Sequence, residues 1–300
     1  MADAPPAVPT LDDLDPAVRA AVLVEALPYI QEFAGRTVVV KFGGNAMVDP
    51  ELSHHFAADI VLLRAIGLRP VVVHGGGPQI GSLLAQLGKE TEFRDGLRVT
   101  DAETLDVAQM VLTGRVGADI VGAINAHGRM AVSLSGIDAG LIAAEQRDER
   151  LGYVGDVVDV HRKILDTLIR DGFVPIISTI GADGSGQTYN INADTAAIAI
   201  AEALDAEKLI YLTDVPGVLT DVADPTSLIS RLSASRARLL IDDGVISGGM
   251  IPKVGACLDA LDVGVGSAHI LDGRIPHVLL LELLTDAGVG TMLTRTEDPA

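Results

Sequence analysis

Cysteine is nearly absent from this chain: Cys257 stands alone among 300 residues. A single thiol excludes an internal disulfide and suits a reducing compartment. Tryptophan is missing and aromatic residues make up only 3%, so Val, Ile, Leu and Ala must fill the core. Positive charge is scarce as well, with 22 Lys and Arg against 41 Asp and Glu and a formal net charge of −19. Nucleic acid and anionic membrane surfaces need clustered Lys and Arg, so this balance argues against both as partners. No basic leader followed by an apolar core opens the chain, and no apolar run approaches the ~18–20 residues needed to span a bilayer. The expectation is a soluble, cytoplasmic protein.

What is abundant is aliphatic sequence in blocks, with hydrophobic residues at 48% of the chain. Strand-like runs fall at 37–42, 70–74, 130–134, 173–179, 208–212, 267–271 and 291–293. Helical patterns at 51–66, 79–87, 102–125, 162–170, 193–204, 251–261 and 276–284 lie between several of them. Continuous Val/Ile runs alternating with helices predict an α/β fold, a mostly parallel sheet sandwiched by helices. Stretches near 93–99 and 151–160 read as hairpin material set into that scheme. Residues 1–15 are Ala/Pro/Asp-rich and read as a mobile tail. From Pro16 onward Val18, Val22, Ala26, Tyr29, Ile30 and Phe33 recur at helical spacing, which predicts a helix over 16–34 capped by Asp15. A lobe boundary is expected near residue 206, dividing 35–206 from 207–300.

The segment VVVHGGGPQI at 71–80 poses the chemical question, because three bare glycines between a strand and a helix admit an anion. Familiar glycine signatures do not fit it. A dinucleotide fingerprint fails at Gln79 and Ile80, which interrupt the last spacing. A phosphate-binding Walker loop fails because the Gly88-Lys89 pair is followed by Glu90 and has Leu83 where the first glycine belongs. A nucleophile elbow fails for lack of any serine with glycines at both flanking offsets. The company of the glycines is more telling. Lys41 ends the first strand just before Gly43 and Gly44, and the run VVVKFGG echoes VVVHGGG. Lys253 follows two more glycines in ISGGMIPKV. Lysines beside glycine turns, with backbone N–H groups, compose a phosphate clamp. The other three lysines, Lys89, Lys163 and Lys208, read as solvated. Asp194, in YNINADT, reads either as a residue complementing a helix N-terminus or as a carboxylate orienting the two lysines.

In this order KFGG, VVVHGGGPQI, FRDGLRVTD, YNINADT, YLTDVPGVL and ISGGMIPKV resemble the amino-acid kinase family, from residue 36 to 293. The resemblance is closest to its acetylglutamate kinases of the arginine-sensitive type. It implies two lobes around an active-site cleft: an N-terminal lobe binding acetylglutamate and a C-terminal lobe binding ATP. It further implies that Lys41 and Lys253 stabilise the transferring phosphoryl group and that Asp194 organises them. Gly76, Gly77, Arg98 and Asn190 would hold the acetylated amino acid. Gly44, Asp214, Gly217 and Ser247 would line the nucleotide, with Mg²⁺ carried by ATP and no metal site in the protein. The chemistry is coherent by itself. A γ-carboxylate titrates near ~4.3 and is an ionised nucleophile at neutral pH, so positioning and charge neutralisation suffice. Arg98 suits bidentate pairing with the α-carboxylate.

His74 reads as a satisfied structural residue, His54 and His55 as helix surface, and Cys257 as core. The helix over 16–34 is not needed for phosphoryl chemistry. By resemblance it links dimers into a homohexamer, and Tyr29, His269, Glu282 and Gly288 form a site for L-arginine as inhibitor. Glu282, an acid inside an apolar helix, is the expected guanidinium partner. The alternatives are another kinase of the same fold, acting on glutamate, aspartate or carbamate, and a sensor that has lost the chemistry.

Overall fold

The Val/Ile runs become the inner strands of one large sheet. The computed structural model describes residues 15–286 and 288–296; the expected tail, apart from Asp15, lies outside them. In chain order the strands are β1 (Thr37–Phe42), β2 (Arg69–His74), β3 (Phe93–Arg94), β4 (Leu97–Arg98), β5 (Ala131–Ser135), β6 (Ile142–Gln146) and β7 (Val154–Val160). There follow β8 (Val174–Ser178), β9 (Ile180–Ala182), β10 (Thr188–Ile191), β11 (Lys208–Thr213), β12 (Arg231–Ser233), β13 (Ser267–Asp272) and β14 (Thr291–Thr294).

Eight of these form a sheet in the order β12-β14-β13-β11-β1-β2-β8-β5. Only the β13–β14 pair is antiparallel, so the predicted mostly parallel sheet is present. β1 sits near its middle, parallel to β2 with Phe42 opposite His74 and parallel to β11 with Lys41 opposite Tyr211. The two glycine turns therefore leave the sheet side by side, as their sequence echo predicts. From β1 the chain builds one way through β2, β8 and β5, then returns to lay β11 and β13 on the other side. Such a reversal opens a crevice beyond the carboxyl ends of the strands, the usual ligand position in open α/β sheets.

Alternation along β1 decides which core each residue joins. Val39 packs with Val71, Val73, Ala197, Ile200 and Leu258, under the helices Ala193–Ala203 and Met250–Asp262. Val38 and Val40 point the other way, into a cluster with Phe56, Ile60, Leu63 and Ile124 from Pro50–Ala65 and Gly117–Asn125. All three valines are fully buried, which is why the run has no polar face. Phe42 stacks on Phe56 with ring centroids 3.9 Å apart.

Three local features differ from expectation. The stretch 151–160 is one arm of a hairpin and not a whole one: β7 pairs antiparallel with β6, the strand before it, and parallel with β10, in a small closed barrel with β9. The helical stretch 102–125 contains a π-helical segment, Met110–Val116, between Ala102–Gln109 and Gly117–Asn125. It is also apolar enough by length and composition to cross a membrane, with a window of mean hydropathy 1.3. That corrects the expectation that no run reaches spanning length. Val107, Leu112, Ile120 and Ile124 are instead buried against the sheet and its helices. The hairpin over 93–99 forms as read, with Asp95 and Gly96 both at positive φ in its two-residue turn.

The helix expected over 16–34 is two helices, Pro16–Glu25 and Leu27–Phe33. Asp15 caps the first, accepting from the Ala17 N–H at 2.7 Å. Pro28 supplies no N–H to continue a single rod. The first helix buries none of its residues, and Val22, Leu23 and Val24 are all more than half exposed. The second lays Tyr29, Ile30 and Phe33 on the core. Across the molecule, buried Asp59 of Pro50–Ala65 meets His277 Nδ1 at 2.6 Å. Burial pushes the Asp59 carboxyl up to about 6, against the opposing pull of His277. His55 packs edge-on against His277, centroids 4.5 Å apart, so it is not the plain surface residue expected.

Gly217 closes the loop after β11 at φ +137°, and a Cβ there would stand 2.6 Å from Thr291 Oγ1. That hydroxyl already accepts from Val218 N and donates to Ile229 O. Gly217→Ala should therefore lower stability by about 3 kcal/mol, the scale of one strained backbone residue plus an overpacked contact. Urea denaturation followed by circular dichroism would read this as an earlier midpoint; an unchanged midpoint would show that the loop yields freely.

Candidate active site

At the crevice beyond β1 and β2 lies a cavity of about 460 Å³, within the range of small-molecule sites. Lys41, Gly43 and Gly44 enter it from β1, Gly75, Gly76 and Gly77 from β2, Arg98 from the 93–98 hairpin, and Asn190 from β10. The fifth residue of β1 must face either core or crevice, and Lys41 faces the crevice with 17% of its side chain exposed. Its ammonium lies 3.0 Å from Asp194 Oδ1. That oxygen has no aligned hydrogen-bond donor, so the contact is a charge pair. Asp194 is held in place by its helix. Asn192 accepts from the N–H groups of Asp194 and Thr195 at 2.8 and 3.2 Å and is thus the cap. Of the two sequence readings of Asp194, capping falls to Asn192 and lysine pairing to Asp194, which also complements the helix dipole.

The glycines are bare for different reasons. Gly76 precedes the helix Gly77–Gln86, and a Cβ on it would come 2.7 Å from Leu112 Cδ2 and 3.3 Å from Val116 Cγ2 of the π-helical segment. Gly77 meets nothing within 4 Å and opens to the cavity. Amides in a helix's first turn have no intrahelical acceptor, so they remain available to an anion. Leu112 itself lines the cavity. Nothing in the sequence marks it or Val116 as site residues, because a π segment has no local signature of the Pro or Gly kind.

Arg98 is anchored. It donates to Gly77 O at 2.9 Å and Thr91 Oγ1 at 3.0 Å, and its guanidinium lies 4.8 Å from the Phe93 ring centroid. Desolvation lowers its pKa, yet an arginine remains charged at any physiological pH. It thereby brings a fixed cation to the mouth of the glycine loop. Asn190 reaches Thr100 Oγ1 at 3.4 Å and keeps its carbonyl oxygen toward other donors.

The residues expected around a nucleotide are less gathered. Gly44, at φ +71°, lies against Asp214, whose Oδ1 would be 2.9 Å from a Cβ there. Asp214, Gly217, Ser247 and Lys253 are outside the cavity lining. Ser247 is exposed in the turn before Met250–Asp262, and its carbonyl accepts from Met250 N at 3.2 Å. Lys253 stands in the first turn of that helix and, among the described residues, makes no ion pair with Asp194. A second cavity of about 390 Å³ connects Asp194 and Thr195 with Ile251, Pro252 and Gly255 beside it. Among the described residues no group of three or more His, Cys, Asp or Glu side chains could hold a metal.

Lys208 is not solvated as read from sequence. Its amine sits 4.8 Å over the Phe33 ring and 3.4 Å from both Ser267 Oγ and His269 Nε2, and desolvation lowers its pKa. His269 Nδ1 in turn lies 2.7 Å from Glu282 Oε1, and Glu282 Oε2 accepts from Val289 N at 3.1 Å. Glu282 is on the helix Val278–Leu284 with 5% of its side chain exposed. Tyr29 hydroxyl donates to Asp286, two residues before Gly288. Tyr29, His269, Glu282 and Gly288 are thus one neighbourhood, on the C-terminal side of the sheet against Leu27–Phe33.

The amino acid kinase family matches residues 36–272, and the fold is that of the family. The chain belongs to that family and is a kinase. It is 58% identical over 282 residues to the acetylglutamate kinase of Nostoc sp., covering 94% of this chain and 95% of that one. The acetylglutamate kinase of Thermosynechococcus vestitus is 55% identical over 276 residues, 92% of this chain and 94% of its own. Within the family the chain belongs with the acetylglutamate kinases, enzymes of arginine biosynthesis. Among solved structures, N-acetylglutamate synthase of Neisseria gonorrhoeae, complexed with coenzyme A and N-acetyl-glutamate, superposes with a TM-score of 0.81 at 28% identity. The match covers 93% of this chain and 64% of that one. Carbamate kinase of Giardia lamblia, at 20% identity and a TM-score of 0.67, shares the fold.

The contact between Gly76 and Leu112 is directly testable. Gly76→Ala should lower kcat/KM for acetylglutamate at least ~10-fold, because the loop must move off the π segment. Leu112→Ala added to it should recover part of that loss by removing the opposing methyl groups. Additive damage in the double variant would show that the two residues do not share a steric boundary.

Proposed function

We propose that this chain transfers the γ-phosphoryl group of Mg-ATP to the γ-carboxylate of N-acetyl-L-glutamate, giving N-acetyl-L-glutamyl 5-phosphate and ADP in the second step of arginine biosynthesis. The observation that carries the reading is the Lys41–Asp194 pair at 3.0 Å beside the Gly75–Gly77 loop, at the point where the strand order reverses. A carboxylate oxygen attacks phosphorus as the bond to the β-phosphate oxygen breaks, so no proton has to move. Lys41 and Lys253 neutralise charge on the transferring group, and Asp194 orients them, Lys253 reaching it when the two lobes approach. Gly76, Gly77, Arg98 and Asn190 hold acetylglutamate on the lobe ending near residue 206. Gly44, Asp214, Gly217 and Ser247 face the nucleotide, whose phosphates carry the Mg²⁺. The reaction takes place in the cytoplasm, a compartment that suits a lone cysteine.

The purified protein should release ADP with acetylglutamate and only poorly with glutamate; equal turnover of the two would sink the substrate assignment. Lys41→Ala and Lys253→Ala should each lower kcat by at least ~100-fold while ATP binding weakens less. A near-normal kcat in either variant would make that lysine structural.

The reading extends to regulation: L-arginine binds among Tyr29, His269, Glu282 and Gly288 and inhibits a homohexamer built as a trimer of dimers. Its support is the exposed apolar residues of Pro16–Glu25, a helix that buries none of its residues among the described ones. One N-acetylglutamate synthase relative has been solved complexed with L-arginine, with a TM-score of 0.77 at 27% identity. The Glu282 carboxylate already serves His269 and Val289, so a guanidinium must share it or displace one of them. A ligand that does so changes activity only by preferring one arrangement of the lobes. Glu282→Ala should abolish arginine inhibition with activity kept, and deletion of residues 1–33 should leave dimers of weakened sensitivity. A dimer by light scattering for the intact chain, uninhibited at saturating arginine, would reject this reading.

A further inference from the structure

His74 is the last residue of β2 and the first of HGGG, and it is completely buried. Its Nδ1 lies 2.9 Å from the carbonyl oxygen of Gly75. A carbonyl can only accept, so Nδ1 carries the hydrogen and donates, which leaves Nε2 as a bare lone pair. Nε2 is buried and has no hydrogen-bond partner among the described residues. Its surroundings are not apolar by accident of packing. Register sets Ser178 of β8 beside His74, and Ser135 of β5 beside Ser178, a row of polar residues across the carboxyl edge of the sheet. Gly117 packs over the His74 ring: a Cβ there would stand 3.4 Å from His74 Nε2 and 2.5 Å from Ser133 Oγ of β5. Burial lowers the pKa of the ring to about 4, so it is neutral near pH 7.

The consequence lies in the next peptide unit. The Gly75 carbonyl and the Gly76 N–H belong to one planar trans amide and point in opposite directions. Glycine on both sides makes this amide free to flip, because neither residue resists a change of sign in its dihedral angles. A flip would turn the carbonyl oxygen toward the cavity, where the proposed anionic substrate would meet it, and hide the N–H. One hydrogen bond to this amide opposes it: His74 Nδ1–H holds the Gly75 carbonyl on the sheet side. The peptide unit before it is fixed separately, because Gly75 N–H donates to Phe42 O of β1 at 3.2 Å. We propose that His74 is a positioning residue for phosphoryl transfer: its Nδ1–H grips the Gly75 carbonyl so that the Gly76 N–H faces the reacting oxygens. His74 touches no substrate itself. The role deepens the proposed function, since it rests on the glycine loop being where acetylglutamate and the phosphoryl group meet.

Three measurements test it. In the wild-type protein, ¹⁵N–¹H NMR of the histidine rings should show His74 protonated at Nδ1 and bare at Nε2; the opposite tautomer would overturn the proposal whatever the variants do. His74→Leu, which keeps bulk but has no donor, should lower kcat/KM for acetylglutamate ~10- to 100-fold with the KM for ATP changed less than ~3-fold. His74→Asn places an amide N–H near the position of Nδ1 and should recover to within ~5-fold of wild type. If Leu and Asn variants lose activity equally, in proportion to their fall in Tm, His74 is only part of the core and the proposal fails. Should the Leu variant not fold, the tautomer and the Asn variant still decide: a folded Asn protein more than ~100-fold impaired would reject a donor role. Wild-type protein with no acetylglutamate turnover would instead refute the functional reading, while the tautomer measurement would still report on the grip.

Discussion

Parallel pairing of β1 with neighbours on both sides is the constraint from which the site follows. It aligns Phe42 with His74 and Lys41 with Tyr211, so three chain segments end at one level. The chain also reverses its direction of growth at this strand, which leaves the ends uncovered by any connecting helix. A lysine at that level cannot withdraw into the valine core and is only partly hydrated. Leaving such a cation unpaired in a half-buried place would be expensive. Asp194 removes the difficulty, and it can do so because Asn192 starts its helix directly beside β1. The charge pair therefore answers a requirement of the fold, whatever chemistry it serves.

Charge economy sets the rest. In a chain of net charge −19 with five lysines, a local excess of positive potential must be built from few side chains and many backbone amides. The cavity does this with Lys41, an arginine braced on Gly77 and Phe93, and a helix N-terminus. Cations fixed in advance in a partly dry cleft act more strongly on developing charge than mobile ones in water, and they need no reorganisation. The second desolvated lysine, Lys208, shows what the protein does with a cation elsewhere. It lays the ammonium over Phe33 of the Leu27–Phe33 helix and sets His269, itself paired with Glu282, close by.

The relation between the N-terminal helices and the rest is physical as well as topological. Leu27–Phe33 is stapled to the core by its apolar face, whereas Pro16–Glu25 shows Val22, Leu23 and Val24 to solvent. Isolated exposed aliphatic residues are ordinary, but three in succession on a helix with no buried residue are better satisfied by a neighbouring surface. The Ala26–Pro28 break lets the outer helix take its own direction while the inner one stays docked.

By itself the sequence determined most of the elements, because the period of burial is written in the residues. Unbroken Val/Ile runs are strands covered on both faces, and apolar spacing of three and four marked helices such as Pro50–Ala65 and Ala193–Ala203. Lys41, Asp194 and the glycine turns were legible as a group because charged and bare residues at strand ends have few uses. Tertiary structure alone decided the remainder. Short polar-edged strands such as Ile142–Gln146 and Thr188–Ile191 become strands only by pairing with β7 and β9, so the barrel has no local signature. The π segment brings Leu112 and Val116 against Gly76, a contact that no propensity of those residues foretells. Lys208 resembled a solvated lysine because desolvation is imposed by Phe33 and His269, far away in sequence. His74 looked merely structural, since its neighbour in the chain, Gly75, says nothing about where the carbonyl will point. Sequence reports which face of an element is buried, through a periodicity that is local. Which atoms meet across elements depends on register and close approach, and those are set only when the whole sheet is assembled.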